Sequence, residues 1–227
     1  MKKAIVFMSV LIMILAATST TFAVTTLYIG GSCDGNGTTR DYTTTGQKYS
    51  GDIKDTVFEF TNISEIKKIK VDVDYEVGDF KYMNGSPSIG IWDVQVGYPV
   101  IIHDKGLVYV TLGEVFYNEY SDAYPKHDID SNMIGLDIVA TPIDRFQFEI
   151  GLQRSIWKGS SKLYSGANNT IEYSCPELTV GRLKFQYIFT DNFGFSVQYR
   201  VLDFKVKQLE VAGTKINTTV AGLIYRF

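Results

Sequence analysis

Hydrophobic and polar residues alternate along most of this chain with a period of two. Ile69, Val71, Val73, Tyr75 and Val77 alternate with Lys70, Asp72, Asp74 and Glu76. A helix would scatter those charges around its circumference, whereas a strand sends successive side chains to opposite faces and sorts them completely. The same sorting recurs downstream. Trp92, Val94, Val96, Tyr98 and Val100 oppose Asp93, Gln95 and Gly97, and Ile134, Leu136, Ile138 and Ala140 oppose Gly135 and Asp137. Phe146, Phe148, Ile150 and Leu152 oppose Gln147, Glu149, Gly151 and Gln153. Phe195, Val197, Tyr199 and Val201 oppose Gly194, Ser196, Gln198 and Arg200.

Weaker alternation predicts a first strand from Val24 to Cys33, carrying Leu27 and Ile29 on one face, and a second near Ile53 to Phe60. Two segments change parity midway. Between Leu107 and Tyr117, Val108, Val110 and Leu112 compete with Tyr109, Val115 and Tyr117, which predicts a bulge near Gly113. Leu178 and Val180 give way to Leu183, Phe185, Tyr187 and Phe189, which predicts another at Gly181-Arg182.

Connections alternate between long and short. Longer polar loops are expected near residues 34–51, 79–88, 118–131, 158–173 and 205–213, and tight turns near 61–65, 102–106, 142–145 and 190–192. Five loops and four turns join ten antiparallel strands; the count falls to eight if the first two segments form a loop or plug.

The ends carry further signals. Lys2 and Lys3 precede the uncharged apolar run Ala4–Ala17, and Thr21-Phe22-Ala23 follows as a small–x–small pattern. This reads as an export signal, residues 1–23, cut after Ala23, with one domain over 24–227. The apolar run is shorter than the roughly 20 residues a membrane-spanning helix needs. At the other end Ala221, Leu223, Tyr225 and Phe227 share a strand face and finish on a bare aromatic. That ending resembles the C-terminal signal of small bacterial outer-membrane β-barrel proteins, with Leu223, Tyr225 and Phe227 as the matching positions. The resemblance covers essentially all of Val24–Phe227 and assigns no subfamily. It implies an all-β, up-and-down transmembrane barrel, recognition by the barrel-assembly machinery during biogenesis, and outer-membrane lipids as surroundings.

Composition agrees with long strands: 15 Tyr, 14 Phe, 2 Trp and 20 Gly stand against 5 Pro. A formal net charge of −3 without a Lys/Arg block offers no nucleic-acid footprint. Only helices and closed barrels satisfy every backbone group in lipid, so crossing without an apolar helix requires closure. In such a barrel the sorted charges line the lumen: Lys70, Asp72, Asp74, Glu76, Asp93, Asp137, Glu149, Lys184, Arg200 and Arg226. Gly97, Gly135, Gly151, Gly194 and Gly222 would supply room on that face. Phe146, Phe189, Phe193, Tyr225 and Phe227 would form an interfacial girdle at the periplasmic strand ends.

No metal-ligand spacing, phosphate loop or cofactor motif is present, and no catalytic residue is assigned. His103 falls in a presumed periplasmic turn. His127 falls in Lys126-His127-Asp128-Ile129-Asp130-Ser131-Asn132, which partly resembles the His-x-Ser-Asn arrangement of outer-membrane lipid A deacylases. Ile129 stands at the serine position, however, and Ser131 is four residues from His127. Along a strand that separates them by about 13 Å. Cys33 and Cys175 lie near the outer strand ends, where an exported chain permits a disulfide, but their strand parity argues against one. The expected role is structural or surface-interacting, as a monomer. A narrow pore for small solutes is the alternative, and a lipid-A-modifying or proteolytic enzyme a third reading.

Overall fold

The structure, a computed structural model, describes residues 22–40, 48–64, 67–81, 87–120, 126–156, 159–164, 170–174, 176–206 and 213–227. All regular elements among them are strands. In chain order these are β1 (Phe22–Arg40), β2 (Lys48–Ser64), β3 (Lys70–Lys81), β4 (Ser88–His103), β5 (Gly106–Tyr120) and β6 (Lys126–Ile143). There follow β7 (Phe146–Ser155), β8 (Ser160–Tyr164), β9 (Thr170–Ser174), β10 (Pro176–Ile188), β11 (Phe193–Val206) and β12 (Gly213–Arg226).

Ten of these form a closed antiparallel barrel, each pairing with its neighbours and β12 returning to β1. The closing register runs through Leu27↔Tyr225 and Ile29↔Leu223, the weakest of the strands read from sequence. The ladder continues to the last residue, where the Phe227 N–H donates to Thr25 O at 3.0 Å. β8 and β9 do not add to the circumference. β7 pairs with Met133–Ile143 of β6, and β8 takes over along Lys126–Asp130, so the hairpin carries the wall upward beyond β7.

Several sequence expectations are corrected here. Much of what reads as long loops is strand: β1 runs on to Arg40, β6 begins at Lys126, and Ser160–Tyr164 pairs with Thr170–Ser174. The bulges expected near Gly113 and at Gly181-Arg182 do not exist, because the register runs unbroken through Gly113 of β5 and through Gly181 and Arg182 of β10 against both neighbours. The register instead breaks at Cys33, between Ser32 and Asp34 of β1, and between Pro99 and Ile101 of β4.

The parity changes have another cause. Toward the tight turns the outer face is apolar, with Leu27, Ile29, Val96, Leu136, Ile138, Leu152, Phe185 and Leu223 exposed, while charged groups point inward. Toward the long connections the outer face turns polar, carrying Asp52, Lys54, Asp79, Ser88, Asp203 and Lys215. There the interior is an apolar core of Ile53, Phe80, Ile89, Val115, Tyr117, Ile129, Leu178, Leu202, Phe204 and Ile216. The barrel is thus two folds in one register. Its lower half holds the charged groups within, beside a small apolar cluster of Tyr28, Val57, Ile188, Val220 and Ile224, and is apolar without; its upper half is water-type, with an apolar interior and a polar outer face.

Two glycines make room for buried phenols. A Cβ on Gly30 would overlap the phenol ring of Tyr28, two residues earlier on the same inner face. At Gly97 it would come within 3.2 Å of the Tyr109 ring. Tyr109 in turn lies under the Lys70 ammonium, 5.6 Å from ring centre to Nζ. Gly30→Val is therefore expected to destabilise the barrel by about 1–3 kcal/mol, through overpacking. Denaturant titration in micelles measures this, and Tyr28→Ala in the same chain should recover part of the loss.

Candidate functional site

The lower lumen is filled by an ion-pair lattice whose members come from seven strands. β3 alternates its charges inward because its outer face must be apolar, and this sets Lys70, Asp72, Asp74 and Glu76 in one column. Lys70 Nζ lies 2.7 Å from Asp72 Oδ2, 2.6 Å from Asp137 Oδ2 and 2.9 Å from Glu149 Oε1. These carboxylates are spaced as metal ligands would be, with oxygens within 4.8 Å of one another. The ammonium already sits on all three and supplies the positive charge.

Arg182 crosses the lumen. Its Nη1 donates to Asp74 Oδ2 at 2.8 Å, and its Nη2 to Glu149 Oε1 at 2.9 Å and Asp72 Oδ2 at 3.3 Å. Lys184 pairs with Glu59 and lies 3.3 Å from Glu149 Oε2. Arg200 approaches Glu76 Oε2 at 3.2 Å and Asp74 Oδ2 at 3.6 Å. Gln198 Nε2 donates to Glu59 Oε2 and Gln95 Nε2 to Asp93 Oδ2, both at 2.8 Å. All of these groups are buried.

Nine of the ten charges expected in the lumen lie in this layer. Arg226 shares the inward parity but sits at the turn end of β12, where its carbonyl accepts a 2.9 Å bond from Asn192 Nδ2. Sequence reasoning missed Glu59 and Arg182. The sign of Glu59 was visible in its position between Phe58 and Phe60, and Arg182 was hidden by the bulge assigned to it.

The aromatic positions group as follows. Phe193, Tyr225 and Phe227 stack edge-on at centroid distances of 5.0 and 4.7 Å, and Phe146 lies 6.4 Å from Phe185. Phe189 is exposed beside the 189–192 turn. A second aromatic row was not anticipated. Phe58, Tyr75 and Trp92 stack across three strands on the outer face, Tyr75 and Trp92 at 4.2 Å.

Above the lattice, at the rim, His127 Nε2 meets Ser161 Oγ at 2.7 Å. Ser161, on the continuation strand β8, takes the place that the sequence offers to Ser131. The imidazole packs edge-on against Tyr117 and Phe204, and Glu119 stands opposite it in the β5–β6 register. This rim projects past the apolar belt, since Asn118, Asp128 and Asp130 face outward at its level. His127 and Ser161 are 1% and 0% exposed, so neither is open to a substrate.

Burial holds the His127 imidazole down at about 4 and pushes the Glu119 carboxyl up to about 7, the bond from Tyr117 opposing the latter. Opposite pH dependences follow. A depressed histidine contributes stability above its unfolded value near 6.5, lost as pH falls toward 4; a raised carboxyl contributes below about 4.5, lost as pH rises through 7. Each amounts to roughly 3 kcal/mol, so these two contributions should nearly cancel from pH 4.5 to 6.5. His127→Phe should lose thermal stability as pH rises across that window, and Glu119→Gln should gain it. Melting curves of the three proteins in micelles decide.

His103 is exposed at the β4–β5 turn, its Nδ1 accepting from the Lys105 N–H at 3.3 Å. Cys33 carries a free, exposed thiol on the β1 bulge. Cys175 and the apolar run of the N-terminal segment lie outside the described residues.

No family model matches the sequence, and no curated protein sequence matches it. Solved structures do. The outer membrane protease OmpT of Escherichia coli superposes with a TM-score of 0.56 at 11% identity, covering 91% of this chain and 98% of that one. An outer membrane channel of Pseudomonas putida F1 gives 0.50 at 11% identity, over 91% and 96%. Neisserial surface protein A gives 0.44 at 10% identity, over 90% and 97%. Identity at this level speaks to fold alone. One of these proteins is a protease and another a channel, on one architecture. In fold, this chain is similar to the small bacterial outer-membrane β-barrels.

Proposed function

We propose that the protein is a monomeric outer-membrane barrel with a closed lumen, acting at the cell surface through its long-connection rim. The tight turns then face the periplasm, the apolar belt meets lipid, and the aromatic rows mark the two interfaces. Residues 1–23 serve as the cleaved export signal, and Leu223, Tyr225 and Phe227 as the assembly signal.

The observation that carries this reading is the pair of seals in series. The ionic layer spans the lumen through Arg182, and the apolar core above it is packed around Tyr117 and Phe204. A solute would have to break buried ion pairs and then part an apolar core. Small barrels are filled by their side chains, while wide aqueous channels belong to barrels of 16–18 strands. With transit blocked and the His127–Ser161 pair buried as a pin for β8, contact with partners falls to the connections at the rim.

Reconstitution into planar bilayers tests the closed lumen. The expected record has no discrete conductance steps, and reproducible steps from purified protein would replace this reading with the narrow pore. Fractionation with heat-modifiability on gels tests location: a soluble periplasmic protein would overturn the membrane assignment.

A further inference from the structure

We propose that the outer face seats one anionic glycerophospholipid of the inner leaflet. Its acyl chain lies in a groove beside the closing seam, and its phosphate lies at the β2–β3 turn. The proposal rests on the membrane reading above, in which the tight turns face the periplasm.

The groove is the first ground. The aromatic row Phe58–Tyr75–Trp92 forms its upper wall, and Leu27, Phe60 and Val73 continue it one step toward the turns. It encloses ≈ 560 Å³, within the range of pockets that hold small molecules. The recess is local. Val73 and Val94 point outward as Leu136 and Leu152 do, yet they are 8% and 6% exposed against 55% and 60%. Lipid tails are as apolar as any barrel wall, so a preferred tail must come from fit. A chain seated in this recess gains contacts that a flat wall does not offer.

The order of polarity below the groove is the second ground. The outward pair Thr25 and Asn62 interrupts the apolar face, Asn62 Nδ2 donating to Thr25 Oγ1 at 2.8 Å. Beyond it the β2–β3 turn carries Lys67 and Lys68 against one acid, Glu65. Ile63 pairs with Lys70, and Val73 and Tyr75 lie three and five residues farther along β3. At roughly 3.3 Å per residue the groove therefore lies about 10–17 Å along the strand from that pair. A glycerophospholipid has the same sequence along its length: charged phosphate, ester-linked glycerol, apolar chain.

Charge selects the headgroup. Residues 103–106 and 143–146 each hold one acid and one base, with His103 neutral, and residues 189–192 hold Asp191 alone. The β2–β3 turn is thus the tight turn with net positive charge, and it lies at the foot of the groove. Lys67 is exposed, and neither lysine is in an ion pair among the described residues.

Native mass spectrometry of the full-length protein tests this, after release from neutral-detergent micelles holding equal amounts of dioleoyl phosphatidylglycerol and dioleoyl phosphatidylcholine. One phosphatidylglycerol per chain is expected, favoured about fivefold, the effect of one net lysine charge at a membrane surface. Lys67→Gln combined with Lys68→Gln should fold, run heat-modifiably on gels, and lose that preference. Ile29 lines the groove and is 51% exposed, so Ile29→Trp should fold, fill the space, and lower retention of both lipids. Equal wild-type retention of the two lipids, or a preference that survives the lysine changes, would overturn the proposal. So would unchanged retention in Ile29→Trp, or lipid-free dimers, which would give the groove to a second copy. Failure of the membrane reading itself looks different: the chain would stay monodisperse without detergent.

Discussion

Replacing Arg182 with methionine is expected to cost the barrel about 3–5 kcal/mol, because it removes one partner of a buried ion-pair network and strands the others. Asp72, Asp74 and Glu149 lose hydrogen bonds of 3.3, 2.8 and 2.9 Å at a single stroke. Methionine approximates the volume of the arginine stem, so the loss is electrostatic rather than a cavity. The control is Arg154→Met. That guanidinium is 69% exposed and 3.9 Å from Glu177, and its removal should cost less than about 1 kcal/mol. Urea unfolding in micelles, followed by tryptophan fluorescence, measures both. Equal midpoints for the two variants would mean that the lattice contributes nothing to the folded state.

Phe204→Ala is the second large effect, at about 3–5 kcal/mol, the usual cost of deleting a buried aromatic. Phe204 is fully buried in the upper core, 5.3 Å from Tyr117 and 5.4 Å from His127, centroid to centroid. Its neighbour Asp203 faces outward, and Asp203→Ala should change stability by less than about 0.5 kcal/mol. The pair discriminates between environments. If the lumen were polar throughout, position 204 would tolerate truncation, and a fluid-filled upper barrel would leave both variants alike. Protection of β11 amides from hydrogen exchange provides a second readout, lost in Phe204→Ala first at the upper end of the strand.

Much of the architecture was legible because one rule governs it. Where lipid-facing apolar groups alternate with charges, as in β3, strand, face and lumen content follow from the residues alone. The first strand was less legible, since Leu27 and Ile29 alternate with Tyr28 and Gly30 rather than with charges. What misled was the assumption of a single environment along each strand. Val115 and Tyr117 face the same interior as Tyr109, and Leu178 and Val180 the same interior as Arg182 and Lys184. Periodicity reports a change of environment and a change of register identically, so β5 and β10 looked bulged. The pairing of His127 with Ser161 could not be read either, since it depends on where β8 docks along β6. The bulge at Cys33 left no mark in the pattern, because the glycines around it carry no side chain to betray parity.

The lattice also dictates an order of events. Its bonds across the lumen join residues far apart in the chain: Arg182 to Asp74 across 108 positions, Lys184 to Glu59 across 125, and Gln198 to Glu59 across 139. None can form while the sheet is an open trough. Until β12 meets β1, the charges of β3 and β10 line a wet furrow and keep their hydration. Contacts of such sequence separation make folding slow. Joining the first strand to the last is therefore also the step that dries the interior, and an unjoined sheet is held open by the water its charges retain.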